Sequence, residues 1–250
     1  MVAPHCLSTH LREETVNVVL DIETIPCDDD ARKELPPPSP PRTLKDESKI
    51  KRWREEKLAE AEEEQYLRTA LDANFGRIFC IGMLFFDEKK EFCSGVSIFG
   101  KKEDAILSAF WDQFKEYKSP RIVTHNGLQF DLPFIWKRSV ILRVQPSMKF
   151  NLIRYRTDYV YDTMDVWSNW DMRNAIKLDK LAKVLGLPGK TGTGADVYDL
   201  WKAGKHKEIA EYCFQDVYVT YCCYCRMNFI APVDKSKISV EYLDVAHPKG

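Results

Sequence analysis

Asp21 and Glu23 stand one residue apart at the end of an apolar run, Val18-Val19-Leu20-Asp21-Ile22-Glu23-Thr24. The β-branched residues between Val16 and Leu20 read as a buried strand. Residues i and i+2 of a strand share a face, so both carboxylates point the same way while Ile22 enters the opposite layer. Like charges held side by side repel unless a cation lies between them, and hard divalent ions prefer oxygen ligands of this kind. A surface strand with two solvated acids has the same sequence signature. The chemistry therefore needs partners from elsewhere in the chain.

Two further stretches offer them. In His125-Asn126-Gly127-Leu128-Gln129-Phe130-Asp131 a short strand (121–124) gives way to an Asn-Gly turn, and Asp131 opens a helix from Leu132. An N-terminal cap and a metal ligand explain Asp131 equally well. In Tyr212-Cys213-Phe214-Gln215-Asp216 the tyrosine and the aspartate are i and i+4 on a long helix expected from Lys205 to Phe229, so they share one face. That spacing also suits an ordinary hydrogen-bonded surface pair. Asp162 and Asp165, in Tyr161-Asp162-Thr163-Met164-Asp165, read as turn caps. Gly189-Lys190-Thr191-Gly192-Thr193-Gly194 fails as a phosphate loop, because Val184 stands where the first glycine should be and a helix precedes it. It remains a flexible loop with Lys190 available to a substrate phosphate.

The elements that must position these groups follow from periodicity. Strands are expected at 78–86 and 91–99, antiparallel about an Asp87-Glu88-Lys89-Lys90 turn. A helix runs from Glu103 to Tyr117, and a shorter one around Leu178 to Leu185 ends at Gly186. Strands interleaved with helices give an α/β layer. Between the first two strands lie Pro36-Pro37-Pro38-Ser39-Pro40-Pro41, suited to extended polyproline geometry, and then a charged segment. Thr43-Leu44-Lys45-Asp46 has the form of a capping box, and Ile50, Trp53, Leu58 and Tyr66 recur at roughly helical spacing. Residues 43–71 form either an amphipathic helix on the domain surface or a lid or partner-binding arm beside the site. From Leu132 to Thr157 there is no acid, while Lys137, Arg138, Arg143, Lys149, Arg154 and Arg156 alternate with aromatics. That composition suits phosphates and bases, and chance clustering on helix faces accounts for it equally.

The 250 residues suit one domain with an insertion, and 44% hydrophobic content supplies a core. With a net charge of −1, binding to nucleic acid must be local rather than global. The eight cysteines show no paired Cys/His spacing, and their one C-x-x-C spacing, Cys222 to Cys225, has no second pair, which argues against zinc and for reduced thiols. Without a signal pattern or a membrane-length apolar run, the expectation is a soluble cytoplasmic protein that engages no membrane. The division expected is a loose N-terminus (1–14), a domain at 15–230 with an insertion at 27–75, and a tail at 231–250.

In order, the acids read D-x-E, D, D, with a tyrosine four residues before the last. Two-metal nucleases use such carboxylates to hold ions about 3.5–4 Å apart. The three stretches resemble the exonuclease motifs of the DEDDy superfamily, and within it the chain is most similar to stand-alone relatives of the family B DNA polymerase proofreading domain. The resemblance implies an RNase H-like (DnaQ-like exonuclease) α/β fold, a mixed sheet flanked by helices with the charged insertion after the first strand. It implies 3′–5′ exonuclease activity releasing nucleoside 5′-monophosphates, with Asp21, Glu23, Asp131 and Asp216 holding two Mg²⁺ or Mn²⁺ ions. Tyr212 would position or help deprotonate the attacking water. Asn126 and Phe130 would touch the terminal nucleotides, and Thr24 the 3′ end through its backbone. Single-stranded DNA is the favoured substrate. RNA trimming of the RNase D kind, or a catalytically silent nucleic-acid-binding module, are the alternatives, and a protein partner at the 43–71 helix is a further expectation.

Overall fold

The apolar run at the first motif folds as a longer strand than its composition suggested, β1 (Asn17–Ile25), in a computed structural model that describes residues 16–89, 92–117, 119–189 and 197–245. Asp21 therefore sits mid-strand, not at a strand end. β1 pairs antiparallel with β2 (Arg77–Phe86), and β2 with β3 (Cys93–Phe99). On its other side β1 pairs in parallel with β4 (Arg121–Thr124), and β4 with β5 (Val160–Asp162). The sheet is mixed and six-stranded, in the order β5-β4-β1-β2-β3-β6. Its sixth strand, β6 (Ser239–Asp244), runs parallel to β3 and lies within the stretch expected to be a tail. Ser-Val-Glu-Tyr-Leu-Asp alternates as an edge strand should, but Val240, Tyr242 and Leu243 reach the cores only partly buried, a weak signal in six residues.

Helices cover both faces. Val18, Leu20 and Ile22 pack with Ile106, Phe110 and Trp111 of α3 (Glu103–Asp112) and with Leu132 and Ile135 of α4 (Asp131–Ile141). α3 stops five residues short of the expected end, although Phe114 stays buried in the same core. The opposite face carries Val19, Leu84 and Phe86 against Phe214, Val217 and Tyr221 of the long helix α8 (His206–Met227). Two glycines set how closely α8 approaches. A Cβ on Gly82 would stand 2.9 Å from both Cys213 Sγ and Val217 Cγ2, and one on Gly95 would stand 2.4 Å from Phe214 Cε2. Gly82 is the register partner of Asp21, so one close approach of helix to sheet falls beside the first motif. This is the mixed, helix-flanked sheet of the RNase H-like fold.

The insertion folds as a short helix, α1 (Asp29–Lys33), and then α2 (Glu47–Arg68). The cap of α2 is Asp46, whose side chain accepts from Lys49 N at 3.1 Å, so the expected Thr43 box is displaced by three residues. Among its residues only Tyr66 is buried, and charges surround the helix on all sides. The expected amphipathic helix lying on the surface is thus corrected: α2 is moored at its C-terminal end. Arg32 pairs with Glu63 at 2.6 Å and lies 3.9 Å above the Tyr66 ring, while Gln65 Nε2 donates to Pro36 O. Between α4 and α8 come α5 (Thr163–Trp167), α6 (Leu178–Val184) and α7 (Val197–Lys202). Lys190 lies outside the described residues. Among the described residues no helix is long and apolar enough to cross a membrane.

Candidate active site

Asp21 and Glu23 share the face of β1 that carries Val19 toward α8, as strand alternation requires. A register shift between Glu23 and Thr24 then bends the strand. Thr24 Oγ1 donates to Ala70 O at 2.7 Å, and Cys27 N donates to Thr69 Oγ1 at 3.0 Å. The root of α2 is therefore fastened directly to the first motif. A Cβ on Gly76 would stand 2.4 Å from Thr69 O, so this junction tolerates no side chain there.

Asp131 is not a cap. It is the first residue of α4, and its Oδ1 accepts the backbone N–H of Ile22 at 3.0 Å, from 109 residues away. The reason lies in the sheet. β4 pairs with β1 only as far as Val19, so beyond it the β1 edge offers an N–H that no strand takes. Asp131 takes it, and its carboxylate comes to rest beside the strand between Asp21 and Glu23. The loop that delivers it is shaped by Asp162, a fully buried carboxylate at the end of β5. Asp162 caps α5 through Met164 N at 3.0 Å and Asp165 N at 3.3 Å, as the sequence suggested. It also accepts from Asn126 N at 2.9 Å, Leu128 N at 3.1 Å and Thr124 Oγ1 at 3.1 Å. That second set of bonds was not legible in the motif. Asn126 has φ 67°, a conformation asparagine tolerates, and a Cβ on Gly127 would meet Thr124 Cβ at 2.5 Å. Phe130 is half-buried against the core and Phe134, with ring centroids 5.4 Å apart.

α8 supplies the last groups. Tyr212 and Asp216 lie one turn apart on α8, and Tyr212 feels the charges of Asp216, Glu23 and Asp21. Burial first, and then these carboxylates, raise its phenol well above the ordinary range. Between them on the helix, Cys213 Sγ lies 3.5 Å from Asp21 O and 3.9 Å from Asp21 Oδ2, a donor the sequence reading passed over. Donor atoms of Asp21, Glu23 and Cys213 lie within 4.8 Å of one another. Burial, followed by Cys80, pushes the Cys213 thiol well up, so it stands here as an S–H donor. The remaining donors are carboxylate oxygens, and that set fits a hard divalent cation. The basic stretch 132–157 behaves unevenly. Arg138 is buried and bound to Glu103, and Arg156 is paired with Asp158, whereas Trp136 and Tyr155 are 52% and 73% exposed.

A search among curated proteins found no match. A protein-family profile matches residues 65–245, a span that holds Asp131, Tyr212 and Asp216 and begins after Asp21 and Glu23. The sheet register and the Asp131–Ile22 bond bring the earlier pair to the same place. The chain belongs to that family, the predicted 3′–5′ exonucleases related to the exonuclease domain of PolB.

Proposed function

We propose that the chain is a two-metal-ion 3′–5′ exonuclease that shortens single-stranded DNA and releases nucleoside 5′-monophosphates. One observation carries the reading: Asp131 bonds to the β1 backbone between Asp21 and Glu23, while α8 holds Tyr212 and Asp216 over the same face. Asp21, Glu23, Asp131 and Asp216 would hold Mg²⁺ or Mn²⁺, which when bound supply an activated water and neutralise charge on the leaving oxygen. The residues themselves do the positioning. Tyr212, one turn before Asp216 on α8, offers a phenol O–H to orient the attacking water. Asn126, held in its turn by Asp162, and Phe130 face the end nucleotides, and the strand bend at Thr24 presents backbone to the 3′ terminus.

The test is purified protein with 5′-labelled single-stranded DNA and a matched RNA, with and without Mg²⁺ or Mn²⁺, beside Asp21→Ala. A metal-dependent ladder shortening from the 3′ end, absent in the variant, is the expected result. Shortening confined to RNA would move the assignment to RNA trimming. Binding with no shortening of either strand would leave only a nucleic-acid-binding module.

A further inference from the structure

Past the active site, β1 runs on to Ile25, which opens onto a cleft of about 560 Å³ between the start of β2, the β3–α3 turn and the α7–α8 junction. Its walls carry Arg77, Lys101, Lys202 and His206, with Trp201 and Phe79 between them. The acid on that wall, Glu103, is engaged twice by Arg138 at 2.7 and 2.9 Å and accepts Ile78 N at 2.8 Å, so the cleft keeps its positive sign. Arg77 Nε donates to Pro26 O at 3.1 Å, which fixes the guanidinium at the rim, 5.7 Å from the Trp201 ring. Lys202 pairs with Asp199 at 3.1 Å, an exposed contact of little worth against a phosphate.

The cleft continues as a ladder of rings and cations. Trp201 stacks on Tyr198 with centroids 5.7 Å apart and planes at 16°. Lys202 Nζ lies 4.4 Å from the Tyr198 ring, and Tyr198 donates its hydroxyl to Tyr66 at 3.2 Å. Tyr66 in turn carries Arg32. Trp201 and Tyr198 are half-buried beside these cations, and accessible rings alternating with cations are what sequence-tolerant binding of a single strand requires, rings for bases and cations for phosphates. Ile25 follows Glu23 by two residues, about 7 Å along a strand, so a strand leaving the active site meets the cleft within its next few nucleotides.

We infer that the Arg77–Trp201–Lys202 cleft and the α7 ring ladder bind the single-stranded nucleic acid upstream of its 3′ end. The inference rests on the exonuclease reading for the direction of the strand, but binding at the cleft is measurable without turnover. The test uses the full chain in EDTA, with fluorescent dodecamer and trimer oligonucleotides followed by anisotropy across a salt series. Lys101→Ala/Lys202→Ala should weaken the dodecamer and make the slope of log affinity against log salt shallower by about 1.4, two cations at ~0.7 each. Trp201→Ala should weaken the dodecamer roughly tenfold through lost stacking. Trimer binding should be unchanged in both. Dodecamer affinity and slope equal to wild type in the two variants, or a wild type that does not bind the dodecamer, would overturn the cleft. A wild type that binds with the expected slope but never shortens a strand in either Mg²⁺ or Mn²⁺ would refute the exonuclease reading and leave the cleft standing.

Discussion

Tyr212 is the residue whose company decides its meaning. At i, i+4 from Asp216 it reads as a surface pair, and the fold places it within reach of Asp21 and Glu23 across the sheet. Tyr212→Phe removes one O–H and little volume, so kcat should fall about 10²-fold with KM nearly unchanged. An unchanged kcat in single-turnover assays would remove the phenol from the chemistry. Asp131 was ambiguous in sequence because a cap and a ligand share the same position at a helix start. A bond to a backbone 109 residues away has no local signature, and only the fold distinguishes them. Asp165 carries a separate consequence. Burial, then the neighbouring Asp162 charge, raise its carboxyl above the ordinary value, with Arg154 opposing. A raised folded-state pKa means the charged form destabilises the fold. That penalty is absent in acid, grows as pH climbs from the usual carboxylate value, and is complete above the folded value. Asp165→Asn should therefore raise the melting temperature at neutral pH and not at pH 3, and equal gains at both would contradict this.

At the scale of elements, the glycines facing α8 govern the site. Tyr212 and Asp216 ride on that helix, and Gly82 lets it close over β2 opposite Asp21. Gly82→Ala must push Cys213 and Val217 away, at a cost of about 1–3 kcal/mol. A lower urea midpoint with a parallel loss of cleavage is expected, and full stability would show that the helix is not seated by this contact. On the opposite face, Arg138 and Glu103, 8% and 9% exposed, tie α4 to α3. Glu103→Gln leaves a buried guanidinium under-compensated and should cost roughly 3 kcal/mol by chemical denaturation. The strands β1 to β4 were legible because buried apolar runs bounded by turns are strong signals. Arg138 could not be told from the other cations of the 132–157 stretch, since a buried and an exposed arginine look alike in sequence. β6 was hidden by its short, half-buried alternation.

Across the whole molecule, stability is unevenly spread. The sheet, α3, α4 and α8 hold most of the buried residues, whereas α2 buries Tyr66 alone. Hydrogen exchange should show residues 47–62 opening many-fold faster than the core of α8, and equal protection would reveal contacts absent from this fold. The charged composition of residues 43–71 announced a helix, but what it rests on could not be read, because its moorings are Arg32, Pro36 and Thr24 rather than an apolar stripe. The late position of α8 also sets an order of events. Asp21 and Glu23 emerge early from the ribosome, while Tyr212 and Asp216 arrive nearly two hundred residues later on the helix that covers Val19, Leu84 and Phe86. A nascent or truncated chain lacking residues past 205 carries three of the four acids, a bare apolar sheet face, and no complete set of carboxylates. On the proposed reading, nuclease activity requires the sheet to be covered, and shortened products should be inert toward nucleic acid ends and prone to aggregate.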